Sequence, residues 1–221
     1  MKVIITGATG MVGKGVLLEC TDHNSVNEVL AIGRNPVDMK HAKLNELIHK
    51  DFSDFSETAF DLKGYDACFF CMGVSSVGLK ESEYHHLTYD LTLGLARELV
   101  KLNPLMTFNY VSGVGTDSTE KGRTMWARVK GKTENDLLKL GFKQAFMFRP
   151  GVIIPLRGIK SRTKAYQFMY DYFMWGVKLM KFFSPNSVVS TTELGKAMIN
   201  TVLKGYPENI LHPKDILQLS R

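Results

Sequence analysis

Gly7, Gly10 and Gly13 recur at a spacing of three in the run Thr6-Gly-Ala-Thr-Gly-Met-Val-Gly13. An apolar stretch, Val3-Ile-Ile5, precedes them, and a helical pattern of Met11, Val12, Val16, Leu17 and Leu18 follows. A strand, a tight glycine turn and a helix in that order make a cradle for anions. Gly7 turns the chain where a Cβ would clash, Gly10 lets the backbone touch a pyrophosphate, and Gly13 lets the helix pack close to the strand. The helix start, from Thr9 and Gly10 through Met11 and Val12, aims unpaired N–H groups and a positive dipole end at the phosphates. In this context the glycines point to a dinucleotide.

Three further sites bear on that ligand. Ala31-Ile-Gly-Arg34 closes the second apolar run. In dinucleotide folds a carboxylate at this corner bonds a ribose 2′-hydroxyl, whereas an arginine pairs with a 2′-phosphate. The corner holds Arg34 and no acid, so NADP(H) is expected ahead of NAD(H). Asp51-Phe52 follows the third run, where an adenine amine would find an acceptor. Met72-Gly73 ends the fourth, where glycine lets the backbone approach the cofactor ribose.

The elements that position these residues follow from hydropathy. Apolar strand-like runs recur at Val29–Ile32, Leu47–His49, Ala67–Cys71, Thr107–Val111 and Ala145–Phe148. Helical patterns lie between several of them, over 12–20, 81–102 and 125–140. Strands alternating with helices imply βαβ units, a parallel sheet and right-handed crossovers. The predicted fold class is α/β: a doubly wound parallel sheet of the Rossmann type, its ligand crevice at the carboxyl ends of the strands. Residues 1–221 are read as a single NAD(P)-binding domain, with 152–190 a small helical substrate, lid or dimer region.

That last region is unusual in composition. Between 164 and 183 lie Tyr166, Phe168, Tyr170, Tyr172, Phe173, Trp175, Phe182 and Phe183, with few charges. A helix apolar nearly all round is buried on more than one side. Ordinary core, a self-association surface and a lid over an apolar substrate are the competing readings, and core with a homodimer contact is favoured. Thr191–Leu203 reads as a further amphipathic helix with Thr191 or Thr192 as its cap.

Bulk properties exclude several classes. The 44% apolar content is ordinary for a soluble globular protein, and no apolar stretch is long enough to span a membrane. The apolar N-terminus is read as the first strand, not a signal peptide. A net charge of +6 is modest and compatible with an anionic ligand. Basic helices, zinc-finger spacing and aromatic–basic RNA motifs are absent, so nucleic acid is not an expected partner. The three cysteines, an odd count, suggest reduced thiols and a cytoplasmic location. Cys68 and Cys71 form C-x-x-C, yet residues three apart on a strand face opposite sides, so core packing is expected. Histidines are scattered and show no metal-ligand spacing, so no metal is predicted. Glu134, Asp136 and Glu98 read as solvated helix charges.

Together the phrases Thr6–Gly13, Met72-Gly-Val-Ser-Ser76, Tyr110-Val-Ser-Gly113, Trp126-Ala-Arg-Val-Lys-Gly-Lys-Thr-Glu134 and Phe148-Arg-Pro-Gly151 resemble the atypical and extended short-chain dehydrogenase/reductase superfamily. Closer in, they are similar to small bacterial epimerase/dehydratase-like proteins and the Tat-interacting oxidoreductase group. The resemblance implies that Ser112 falls near the serine that polarises a substrate carbonyl, with Gly113 in the neighbouring place. It implies that Lys130 bonds the nicotinamide ribose, and that Pro150, Gly151 and Val152 hold the nicotinamide end.

One departure matters most. The family phrase Tyr-x-x-x-Lys puts a phenol and an ammonium on one helix face; here it reads Trp126-Ala-Arg-Val-Lys130. A phenol, with a pKa of about 10, is tuned by a nearby cation. An indole N–H donates a hydrogen bond and does not ionise in this range. Two readings follow. The chain is an oxidoreductase on an unknown small carbonyl or conjugated substrate, with Ser112 and Trp126 as donors and another group supplying the proton; Tyr110, Arg128, Tyr84 and His85 are loose candidates. Alternatively it is a non-catalytic NADPH-binding sensor or interaction protein. An isomerase that returns the hydride is a weaker third.

Overall fold

A computed structural model describes residues 1–159 and 187–221. The aromatic stretch 164–183, and with it the dimer or lid expectation, lies outside the described residues.

Seven parallel strands form the central sheet: β1 (Lys2–Thr6), β2 (Glu28–Gly33), β3 (Leu44–Ile48), β4 (Ala67–Phe70), β5 (Thr107–Val111), β6 (Gln144–Phe148) and β9 (Ile210–Leu211). Their order is β3-β2-β1-β4-β5-β6-β9. The chain runs outward from β1 to β3, then crosses back to β4, so the order reverses between β1 and β4. That switch point is where an open α/β sheet leaves a crevice. In register, Thr6 stands beside Ile32 on one side and Phe70 on the other, which brings the loops after β1, β2 and β4 together.

Strand alternation sorts the core into two layers. Val3, Ile5, Val29, Ala31, Ala67 and Phe69 point to one face and pack on α1 (Met11–Asp22) and α5 (Thr191–Lys204). Ile4, Leu30, Ile32, Cys68, Phe70 and Phe108 point to the other, under α3 (Leu91–Leu102) and α4 (Met125–Lys139). Burial on both faces explains why the strands read as continuous apolar runs. Cys68 and Cys71 join opposite layers and all three thiols are free, so the C-x-x-C is a packing pattern.

Three local readings differ from the structure. The 81–102 pattern is α2 (Glu81–His85), a π turn (His86–Asp90) and α3, in which the Thr92 hydroxyl donates to the Thr88 carbonyl at 2.5 Å. The cap of α5 is Ser190, not Thr191 or Thr192. Its hydroxyl accepts from the Glu193 N–H at 3.1 Å while Glu193 Oε2 accepts from the Ser190 N–H at 2.6 Å, a reciprocal box written as Ser-x-x-Glu. The described ends of 152–190 are strands, not helix: β7 (Val152–Ile154) and β8 (Val188–Ser190) pair in parallel as a separate two-stranded sheet. A further helix, α6 (Pro213–Leu219), closes the first layer.

α1 and α5 approach closely because glycines face side chains on both. A Cβ on Gly15 would lie 2.5 Å from Thr191, and one on Gly195 would lie 2.7 Å from Glu19.

Candidate nucleotide site at the switch point

The glycine turn adopts the geometry its spacing demands. Gly7 has φ +70°, and a Cβ on it would stand 2.7 Å from the carbonyl oxygen of Cys71. The loops after β1 and β4 therefore touch only because position 7 has no side chain. A Cβ on Gly13 would lie 2.2 Å from the Gly7 carbonyl oxygen, so the first turn of α1 packs directly on the bend. Two bonds stitch the same loops: Met72 N–H donates to Thr6 Oγ1 and Cys71 N–H to the Thr6 carbonyl, each at 3.3 Å.

The N-terminus of α1 suits a phosphate. Its cap residue is Gly10, no side chain caps it, and its first turn holds no acid. The Gly10 N–H is spent on the Gly7 carbonyl at 2.8 Å, while the N–H groups of the residues that follow have no partner within the helix. Uncapped donors with no competing carboxylate favour an anion. Beside them Gly7, Ala8, Thr9, Ala31, Ile32, Gly33, Asn35 and Val37 line a crevice across the ends of β1 and β2. Arg34 follows directly. It is exposed and makes no ion pair among the described residues. Glycine turn, uncapped helix and free guanidinium fit a dinucleotide.

The other predicted contacts fall on the same edge of the sheet. Gly73 is exposed, and a Cβ on it would meet nothing within 4 Å. Phe52 is buried in the second layer, whereas Asp51 is exposed with its carboxylate accepting from the Ser53 N–H at 2.9 Å and hydroxyl at 2.5 Å. Pro150 is buried, and its carbonyl accepts from the Val114 N–H at 3.0 Å, tying the loop after β6 to that after β5. Gly151 approaches Ser187, where a Cβ would lie 2.5 Å from the carbonyl oxygen.

The residues expected at the reacting end need correction. Ser112 is 8% exposed, and its hydroxyl turns inward, to Glu134 and to the Phe148 carbonyl at 3.1 Å. It serves a buried cluster and does not present a donor to a substrate. Glu134 is not a solvated helix charge. It is 0% exposed and receives Arg149 Nε at 3.1 Å on both oxygens, with a further bond from Arg149 Nη2. Arg149 Nη2 also donates to Ser118 Oγ at 2.5 Å. The sequence reading missed this cluster. Its signals were the i, i+4 spacing of Lys130 and Glu134 and an arginine ending the apolar run 145–148.

Lys130 extends from α4 and donates through Nζ to the Ser112 carbonyl at 2.6 Å. Burial pulls its pKa down to about 8, against the opposing pull of the Glu134 carboxylate. Trp126, one turn earlier on α4, is half-buried, and its ring edge stands 3.2 Å from where a Cβ on Gly115 would be. The loose proton candidates are spoken for. Tyr84 and Tyr110 are each 2% exposed, and burial pushes both phenols above their ordinary range. Arg128 binds Glu81 through two 2.8 Å bonds and the carbonyls of Gly122 and Arg123. His85 faces Asp90 at 3.5 Å. Among the described residues no group of three or more His, Cys, Asp or Glu is placed to hold a metal, and no helix is long and apolar enough to cross a membrane.

Known proteins are similar to this chain in sequence and in fold. HTATIP2 of Rattus norvegicus is 30% identical over 155 residues, 69% of this chain and 63% of that protein. The match thus spans less than two thirds of that relative. "Protein FMP52, mitochondrial" of Eremothecium gossypii is 26% identical over 156 residues, 70% of this chain and 67% of that one. Among solved structures, the Bordetella bronchiseptica enzyme WbmF in complex with NAD+ superposes with a TM-score of 0.68 at 14% identity, covering 98% of this chain and 76% of that one. That likeness shows the fold. The model of the NAD dependent epimerase/dehydratase family matches residues 3–131, more than half of the sequence, from β1 through Lys130. The chain belongs to the NAD dependent epimerase/dehydratase family, with its nucleotide-binding, oxidoreductase-like fold.

Proposed function

We propose that the chain binds NADP(H) and acts as an oxidoreductase on a small carbonyl or conjugated compound. The observation that carries the cofactor choice is Arg34, exposed and without an ion pair among the described residues, directly after the crevice residues Ala31, Ile32 and Gly33. A planar guanidinium there is a fork for a 2′-phosphate. The α1 N-terminus holds the pyrophosphate and the loops after β4 and β6 flank the nicotinamide half. When bound, the nicotinamide supplies or accepts a hydride. Lys130 offers an ammonium toward the ribose, and the Trp126 N–H is a hydrogen-bond donor on the same helix face. Neither the Ser112 hydroxyl nor the Trp126 indole ionises in this pH range, so among the described residues the proton of the reaction is left to Lys130 or to water.

A second reading draws on the same two residues. With the serine hydroxyl turned inward and no phenol at position 126, the chain would bind NADP(H) without turning anything over, as a sensor or interaction protein. A screen of aldehydes, ketones and quinones with NADPH separates the two, with Trp126→Tyr as the comparison. A positioned acid–base group contributes about 10²–10⁴ in rate. Wild type within about tenfold of the tyrosine variant supports the oxidoreductase; NADPH bound tightly but turnover seen only with the variant supports the sensor.

A further inference from the structure

Ser112 is held at both ends by one helix. Its carbonyl accepts from Lys130 Nζ at 2.6 Å, and its hydroxyl bonds to Glu134, the residue one turn on. Glu134 is in turn gripped by Arg149 at the end of β6, and Arg149 reaches Ser118 in the loop that follows β5. Four buried or half-buried polar groups from α4, β5 and β6 thus converge at the carboxyl edge of the sheet. α4 also docks there without a gap: a Cβ on Gly131 would strike the Asp117 carbonyl at 1.8 Å. Such a network holds one arrangement, because each buried group that loses its partner is costly.

We propose that Glu134 is a positioning residue that keeps Lys130 a cation aimed at the nicotinamide half of the cofactor site. The inference rests on the cofactor reading above, but concerns the state of the lysine itself. A half-buried ammonium loses hydration and tends to shed its proton. The carboxylate one turn along the helix opposes this. Burial has brought the Lys130 pKa down to about 8 even with Glu134 in place. Among the described residues no other charge around Lys130 does the same work. Arg149, directly after β6, carries the wrong sign. Tyr110 on β5 and Tyr84 on α2 stay neutral because burial raises them. Asp117 in the adjoining loop turns its carboxylate to Thr119 and Gly122. Arg149 and Ser112 fix where the Glu134 charge sits.

The test is a pH titration of Lys130 in the whole protein labelled with ε-¹³C lysine, assigned by Lys130→Arg. The expected midpoint in wild type is about 8. In Glu134→Gln it falls by about one unit or more, the usual effect of an opposite charge at this range. Should Arg149, left unpaired, prevent folding, Glu134→Gln combined with Arg149→Gln removes both charges and is expected to show a smaller fall, because the cation that also disfavours the ammonium is lost with the carboxylate. Glu134→Asp, which keeps the charge, restores most of it. A wild-type midpoint in the ordinary lysine range, or one unmoved in either folded variant, overturns the proposal. The NADPH dissociation constant, followed over the same pH range, is expected to rise through the same midpoint in each protein. Failure to bind NADPH at any pH would strike the proposed function and leave the lysine titration standing.

Discussion

Lys130 donates to the carbonyl oxygen of Ser112 at 2.6 Å, while the hydroxyl of the same serine is bonded to Glu134. The residue that family likeness casts as a substrate donor is thus a structural link between a lysine and a buried carboxylate. Among the described residues, the Lys130 ammonium, the Trp126 indole and backbone remain beside that serine.

The pair Glu134–Arg149 is buried. Removing one partner leaves an uncompensated charge, so Glu134→Ala is expected to cost about 3–5 kcal/mol. Asp136 lies two residues away with its side chain 25% exposed and pairs with Lys132 at 2.7 Å. Asp136→Ala is expected to cost about 1 kcal/mol or less. Urea unfolding of both variants checks the contrast. Equal losses would mean that the buried cluster has no special weight.

Lys130 gives stability a pH dependence of definite sign. Its pKa is lowered from 10.5 to about 8 in the folded chain, so between those values the unfolded chain binds more protons. The contribution of this residue to stability therefore rises with pH across about 8 to 10.5. Below that window the folded state carries the full penalty of a half-buried ammonium. Lys130→Met is expected to flatten the rise and to weaken NADPH binding. Denaturant unfolding at several pH values checks this, and a wild-type curve parallel to that of Lys130→Met across the window contradicts it.

Two glycines separate fold from binding. Gly13→Ala drives a Cβ to 2.2 Å from the Gly7 carbonyl oxygen, and overpacking against backbone costs about 1–3 kcal/mol or more. It is expected to lower stability and cofactor affinity together. At Gly73 an added Cβ meets nothing within 4 Å, so Gly73→Ala is expected to leave stability unchanged. A weakened NADPH affinity in Gly73→Ala then reports a backbone approach to the cofactor. Unchanged affinity moves the nicotinamide ribose elsewhere.

The parallel sheet and its switch point were legible because strands buried on both faces write long apolar runs, and glycines at fixed offsets mark the turn between β1 and α1. Thr107–Val111 matches β5 at both ends. The cofactor edge followed, since every loop after a parallel strand opens on one side. The polar cluster was not legible. Glu134 has the look of any solvated helix acid until Arg149, fifteen positions on, is brought beside it by the β5–α4–β6 crossover. Nor does residue type say that the Ser112 hydroxyl turns inward, because that depends on a carboxylate from another element. Ser190 does not stand out as a cap in the sequence because hydroxyls at Ser190, Thr191 and Thr192 stand in a row, and only the structure shows which one meets the Glu193 N–H.

The proposed preference for NADP(H) rests on a 2′-phosphate met by Arg34. Calorimetric titration of wild type and Arg34→Ala with NADPH and with NADH tests it most directly. Charge-assisted bonds of about 1.5–3 kcal/mol predict that the variant loses roughly 10–100-fold in NADPH affinity and little for NADH. Equal losses for the two nucleotides, or a wild type that prefers NADH, would contradict it.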